Sequence, residues 1–141
     1  KKKLGGEVKL MLHGGYDLFK DPNFLLSAEI GAYKKFEVKK INTIFNVGGG
    51  IDFSNYFNDI EYVAIIRPYF STEIGGYVSK DIRMFTDIKL GVGAFIRESL
   101  IEAFPKASVS LGMTYKEHFT VEMSYNTFST ISLGFGTRFG F

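Results

Sequence analysis

The chain has only two imidazoles, His13 and His118, and no cysteine. Thiol catalysis, disulfide scaffolds and the common structural zinc sites are therefore excluded. A serine triad needs a histidine within reach of both a serine and an acid. His13 alternates with Glu7 and Lys9 along an extended stretch, and His118 falls in a short connection, so neither has that setting. With two histidines a metal site would rest mainly on carboxylates, and no acidic group has metal-ligand spacing. Gly48-Gly49-Gly50 lacks the following helix and lysine of a phosphate-binding loop. No cofactor or metal is expected. The conspicuous set is instead a series of charges at alternate positions: Glu7, Lys9, Glu29, Asp52, Arg67, Glu73, Asp87, Lys89, Arg97, Lys106, Glu122 and Arg138, six acids and six bases. Such a set suits mutual neutralisation rather than bond-making.

Those charges must be carried by extended chain, because nearly every informative stretch has a period of two. Eight strands are expected, at about 4–16, 24–33, 42–53, 62–77, 86–97, 106–115, 119–126 and 131–141. In the fifth, Ile88, Leu90, Val92, Ala94 and Ile96 oppose Asp87, Lys89, Gly91, Gly93 and Arg97. The others alternate likewise. Strands of about 11 residues match a tilted bilayer crossing. The short connections left over allow only neighbour-to-neighbour, up-and-down pairing. With 141 residues, a single domain over 1–141 is expected. No apolar run approaches the ~18 residues of a spanning helix; Leu90–Ile96 is seven residues and holds two glycines. Lys1–Lys3 precede Leu4-Gly5-Gly6-Glu7-Val8-Lys9, which is no secretory apolar segment, so an exported protein is met here in its mature form. The net charge of +2 is too small to argue for a nucleic-acid partner.

Two closed barrels share this period. A soluble ligand-binding barrel turns its apolar side inward, and a membrane barrel turns it outward. The apolar side of the eight strands as drawn carries no charge. A water-covered core does not require this, but a hydrocarbon-facing band does, since a charge at the midplane costs about 2–4 kcal/mol. Twelve of the 16 glycines fall on the polar side. There they only weaken a solvated strand, yet they make room inside a narrow barrel. The charges of that side balance, as enclosed ions must. Tyr16, Phe24, Phe53 and Tyr62 fall at one set of strand ends, and Tyr115, Phe119, Phe139 and Phe141 at the other. That distribution suits aromatic girdles. The fold class expected is therefore all-β, an eight-stranded antiparallel up-and-down transmembrane β-barrel with an ionic lumen.

The chain resembles the small eight-stranded outer-membrane barrels of Gram-negative bacteria, the superfamily of the OmpA transmembrane domain and OmpX. The most specific carrier is the terminal strand, Gly136-Thr137-Arg138-Phe139-Gly140-Phe141. Gly136, Phe139 and Phe141 match the family's assembly signal. Pro68-Tyr69-Phe70 through Gly75-Gly76 resembles its mid-barrel strands less specifically. The resemblance implies an integral outer-membrane location with both termini periplasmic. It implies outer-membrane lipid, lipopolysaccharide and the barrel assembly machinery as partners, and a monomer. Connections around 17–23, 54–61, 98–105 and 127–130 would then be extracellular, with six acids against Lys20. Those around 34–40, 78–85 and 116–118 would be periplasmic, with seven bases against three acids. His118-Phe119-Thr120 is the nearest approach to the His-x-Ser of lipid A deacylases, with threonine for serine and on the wrong leaflet. Palmitoyl-transfer barrels need an apolar lumen, which this sequence lacks. The expected role is structural or surface interaction, membrane integrity or adhesion, without catalysis. The runner-up is a narrow passive pore for ions or very small solutes.

Overall fold

The structure is a computed structural model, described here for residues 5–17, 24–57, 62–97, 100–126 and 130–140. Alternating side chains that favour opposite media cannot be satisfied by a helix, and here they produce a single closed sheet. Its strands are β1 (Gly6–Asp17), β2 (Phe24–Val38), β3 (Thr43–Phe57), β4 (Tyr62–Tyr77), β5 (Ile82–Arg97), β6 (Leu100–Tyr115), β7 (Phe119–Asn126) and β8 (Thr130–Gly140). Each pairs antiparallel with the next in sequence. β1 closes the barrel against β8, with Glu7 opposite Gly140 and Asp17 opposite Thr130. Closure gives every strand a neighbour on both sides, although β6 outruns β7, whose pairing begins at Ser108 opposite Asn126.

The orientation of the two faces is decided by where the side chains lie. Leu10, Val92 and Leu111 are exposed on the outside. Glu29, Lys89 and Arg138 are buried inside, Arg138 completely, at 0 % exposure. Phe70, Leu90, Leu133 and Phe135 extend the exposed apolar surface. Burying that many ions beneath an apolar exterior suits a barrel whose surroundings are hydrocarbon. At the strand ends Tyr16, Tyr115, Phe119 and Phe139 are exposed as expected of girdles; Phe53 is exposed too, but β3 runs on to Phe57 and places it at mid-barrel beside Ala28 and Ile66 rather than in a girdle. The side chains of Phe24 and Tyr62, and Phe141 altogether, lie outside what is described.

Four strands are longer than their sequence pattern indicates. β2 continues from 33 to Val38, β3 from 53 to Phe57, β5 begins at Ile82 rather than 86, and β6 at Leu100 rather than 106. Most of the expected connection 98–105 is therefore sheet, as are parts of 34–40, 54–61 and 78–85. The pattern hides these extensions because it weakens near the barrel ends. There, one face leaves the hydrocarbon and tolerates polar residues such as the exposed Lys34. The turns at the same end as β1's start are short. A 3-10 turn (Lys39–Ile41) is ended by Asn42 in the left-handed region (φ 49°). Lys116 and Glu117 both take positive φ between β6 and β7, the handedness that matches sheet twist in a tight hairpin. Asn42 also fastens two turns together: its Nδ2 donates to the Tyr77 carbonyl at 2.6 Å, and the Tyr77 N–H donates to its Oδ1 at 3.2 Å.

Candidate functional site: the luminal charge network

The inward positions of all eight strands converge on one network. Nearest the turns, Arg138 of β8 donates through Nη1 to Glu7 and to Glu73, each at 2.7 Å, and through Nη2 to Glu73 at 3.2 Å. Arg83 of β5 holds both oxygens of Glu7, at 3.0 and 3.4 Å. Asn46 of β3 donates to Glu7 at 2.8 Å and to Glu73 at 3.2 Å. Glu7 Oε1 thus accepts from three strands' donors, the multiple charge-assisted bonding that makes an enclosed carboxylate tolerable.

One layer further in, Lys9 bridges Glu73 and Glu122 at 2.9 Å each, with Asp87 3.7 Å away. Lys89 binds Glu29 at 2.9 Å and lies 3.3 Å from Asp87 and 3.7 Å from Glu122. Ser71 donates to Asp87 at 2.6 Å. His13 Nε2 stands between two carboxylates, 3.3 Å from Glu122 and 3.6 Å from Glu29. Toward the other end, Arg67 donates to Asp52 at 2.8 Å and to Ser54 at 2.7 Å, and Lys106 lies 3.8 Å from Asp52.

The acids and bases therefore balance over the lumen but not within each cluster. Glu7, Glu29, Glu73, Asp87 and Glu122 are joined through four bases, Lys9, Arg83, Lys89 and Arg138. Asp52 is shared by Arg67 and Lys106. Besides His13, the larger cluster thus holds five acids to four bases, and the smaller cluster one acid to two bases. Two oxygens of the larger cluster, Asp87 Oδ2 and Glu122 Oε1, accept no hydrogen bond.

Of the twelve charges singled out in the sequence, eleven meet in these clusters. Arg97 lies at the end of β5, where its side chain is not described. Arg83 corrects the sequence reading, which left it in a connection. It is 1 % exposed and one of the four bases of the larger cluster. Phe85 was missed for the same reason. Its ring lies beneath both Lys9 and Arg138, 4.9 Å from each cationic group, close enough for cation–π attraction. Extending the alternation of β5 backward from Asp87 in steps of two would have found both. An apolar Phe on the charged side obscured that step.

Glycine supplies the space. A Cβ on Gly134 would lie 2.3 Å from the His13 ring, one on Gly112 2.6 Å from Phe85, and one on Gly93 2.2 Å from Phe104. The room left among the ions, a cavity walled by His13, Glu29, Arg67, Lys106 and several serines, is only about 10 Å³, enough for one water-sized occupant.

The His118-Phe119-Thr120 stretch does not bring its imidazole and its hydroxyl together. The Thr120 hydroxyl is buried against Thr114 at 3.1 Å. The His118 imidazole is exposed and meets the Arg138 carbonyl at 3.1 Å. The His118-Phe119-Thr120 stretch thus sends its hydroxyl into the lumen, away from the lipid side. Gly136 and Phe139 sit in β8, which pairs with both β1 and β7.

No protein-family model matches the chain, and no curated protein matches it in sequence. Solved structures do. The N-terminal β-barrel domain of Pseudomonas aeruginosa OprF superposes with a TM-score of 0.56 at 14 % identity, covering 98 % of this chain and 100 % of that one. The attachment invasion locus protein Ail of Yersinia pestis aligns at 11 % identity over 95 % of this chain and 96 % of its own, with a TM-score of 0.47. A de novo designed transmembrane β-barrel aligns over 100 % of this chain and 99 % of its own at 12 % identity, also with a TM-score of 0.47. At such identities the likeness speaks for the fold. The eight consecutive antiparallel strands, their closure and the OprF superposition together give this chain the fold of the small eight-stranded outer-membrane β-barrels.

Proposed function

We propose that the chain is an integral protein of the bacterial outer membrane with a structural or surface-directed role, membrane integrity or adhesion, and no catalytic activity. The observation that carries this reading is the filled lumen. Glu73 on β4 reaches across it to Lys9 on β1 and to Arg138 on β8, at 2.9 and 2.7 Å, and the cavity among the described residues there is about 10 Å³. A barrel filled in this way transmits little and presents its rims and exterior to partners. Those partners are outer-membrane lipid and lipopolysaccharide around the apolar belt, and the barrel assembly machinery through Gly136, Phe139 and Phe141. In this reading both termini face the periplasm and the barrel is a monomer.

A narrow passive pore is the second reading. It is favoured by the two unpartnered oxygens, Asp87 Oδ2 and Glu122 Oε1. Both lie within 4 Å of Lys89, so that lysine can exchange carboxylates and loosen the plug. Membrane fractionation with surface labelling of an epitope inserted at 18–23 tests the location and topology. Planar-bilayer recording of the refolded protein tests the plug. Baseline conductance is expected, and discrete openings of the wild-type barrel would replace the structural reading with the pore.

A further inference from the structure

We propose that His13, Glu29 and Glu122 form a binding site inside the barrel for one divalent transition-metal ion of the zinc class. The three come from β1, β2 and β7, and one donor atom of each lies within 4.8 Å of the others. The imidazole Nε2 is 3.3 Å from Glu122 Oε1 and 3.6 Å from Glu29 Oε1. Donors bound at about 2.1 Å around a tetrahedral ion lie about 3.4 Å apart. The two separations from the imidazole straddle that value, and the two carboxylate oxygens lie within 4.8 Å of each other.

A second observation points to a cation here. Glu122 Oε1 is fully enclosed yet receives no hydrogen bond; Lys9 holds the other oxygen, and Lys89 stands 3.7 Å from this one, so a buried acceptor is left with unused capacity. It faces the imidazole, which offers the same space a lone pair rather than a second charge when uncharged. The larger ionic cluster also holds five acids to four Lys and Arg bases. Lys89, now on Glu29, would compete for the site, but it has an alternative acceptor already in place. Asp87 Oδ2 is 3.3 Å from its Nζ and is the other unpartnered oxygen. Metal binding then moves Lys89 from Glu29 to Asp87, and both unsatisfied oxygens acquire partners. The cavity of about 10 Å³ touches His13 and Glu29, with Ser27, Ser124 and Ser132 in its wall and Lys89, Arg67 and Lys106 beside them. It gives room for a water as fourth ligand. One nitrogen and two carboxylate oxygens favour zinc, cobalt or nickel over magnesium or calcium.

The test is titration of the refolded barrel in detergent with Co²⁺, read by its visible absorption, followed by displacement with Zn²⁺. Folding of every sample is checked by faster migration when unboiled. Saturation at one Co²⁺ per barrel is expected, with loss of the absorption on adding Zn²⁺. Substitutions His13→Gln and Glu122→Gln should each weaken binding about tenfold or more. His118→Gln and Glu37→Gln, outside the site and exposed, should leave it unchanged. No saturable uptake by the folded wild-type barrel overturns the proposal, and this needs no variant to fold. Uptake that survives both site substitutions, or is lost with His118→Gln, also overturns it by placing the ion elsewhere.

Discussion

Arg138→Met removes a fully buried cation that ties Glu7 to Glu73 while keeping a side chain of similar length. The guanidinium makes three charge-assisted hydrogen bonds, at 2.7, 2.7 and 3.2 Å, each worth about 1.5–3 kcal/mol when made to a charged partner. The loss is smaller than their sum, because neither carboxylate is abandoned. Glu7 retains Arg83 and Asn46, and Glu73 retains Lys9 and Asn46. The range for breaking one buried ion pair is about 3–5 kcal/mol, and the retained partners place this substitution near its lower end. The same logic sets the sign of the coupling. In Glu73→Gln the carboxylate that loses two of the three Arg138 bonds is no longer charged. The double variant should therefore be more stable than the sum of the single losses by about 1–3 kcal/mol. The assay is urea unfolding in lipid vesicles, followed by far-ultraviolet circular dichroism because the chain has no tryptophan. With a urea slope of about 2 kcal/mol/M, a loss of about 3 kcal/mol lowers the midpoint by about 1.5 M. A shift of less than about 0.5 M, or strict additivity of the two substitutions, would refute the view that these ions hold one another in the lumen.

Four further outcomes are expected. Arg67→Ala and Arg138→Ala should each raise single-channel conductance in planar bilayers, since each deletes a buried cation that fills the lumen; unchanged baseline currents in both would exclude a gate built from these ions. Leu90→Arg should destabilise the barrel in vesicles by about 2–4 kcal/mol, although Leu90 is exposed at 59 %, and a cost near zero would remove hydrocarbon from that face. Gly134→Ala should lower stability by about 1–3 kcal/mol through overpacking against the His13 ring, as measured by the same urea midpoint; a neutral result would show that the imidazole has space to withdraw. Cells expressing the protein should show no mass shift in lipid A, and a shift abolished by His118→Ala would establish an enzyme.

The architecture was legible because it follows from a local property. A strand with ions on one side and aliphatic side chains on the other must separate two media, and eight such strands with short connections have few ways to do so. β4 and β7 were readable to the residue, because their alternation continues up to a turn. β5 and β6 were read too short, since Phe85 and Phe104 are aromatic residues at inward positions. Balanced charge along the polar side was also visible, and so was the need for glycine there.

What the linear chain determined, then, was the medium on each face and the equality of acids and bases between them. Which acid meets which base was decided only by closure. Arg138 and Glu7 are 131 positions apart, and Lys9 and Glu122 are 113. Their meeting depends on the pairing of β1 with β8 and on the stagger of all eight strands. A period of two records to which side a residue points, but not its height along the lumen or what faces it across the barrel. The placement of Arg83 in the network, the uneven split of charge into two clusters, and the approach of His13 to Glu29 and Glu122 all belong to that three-dimensional register.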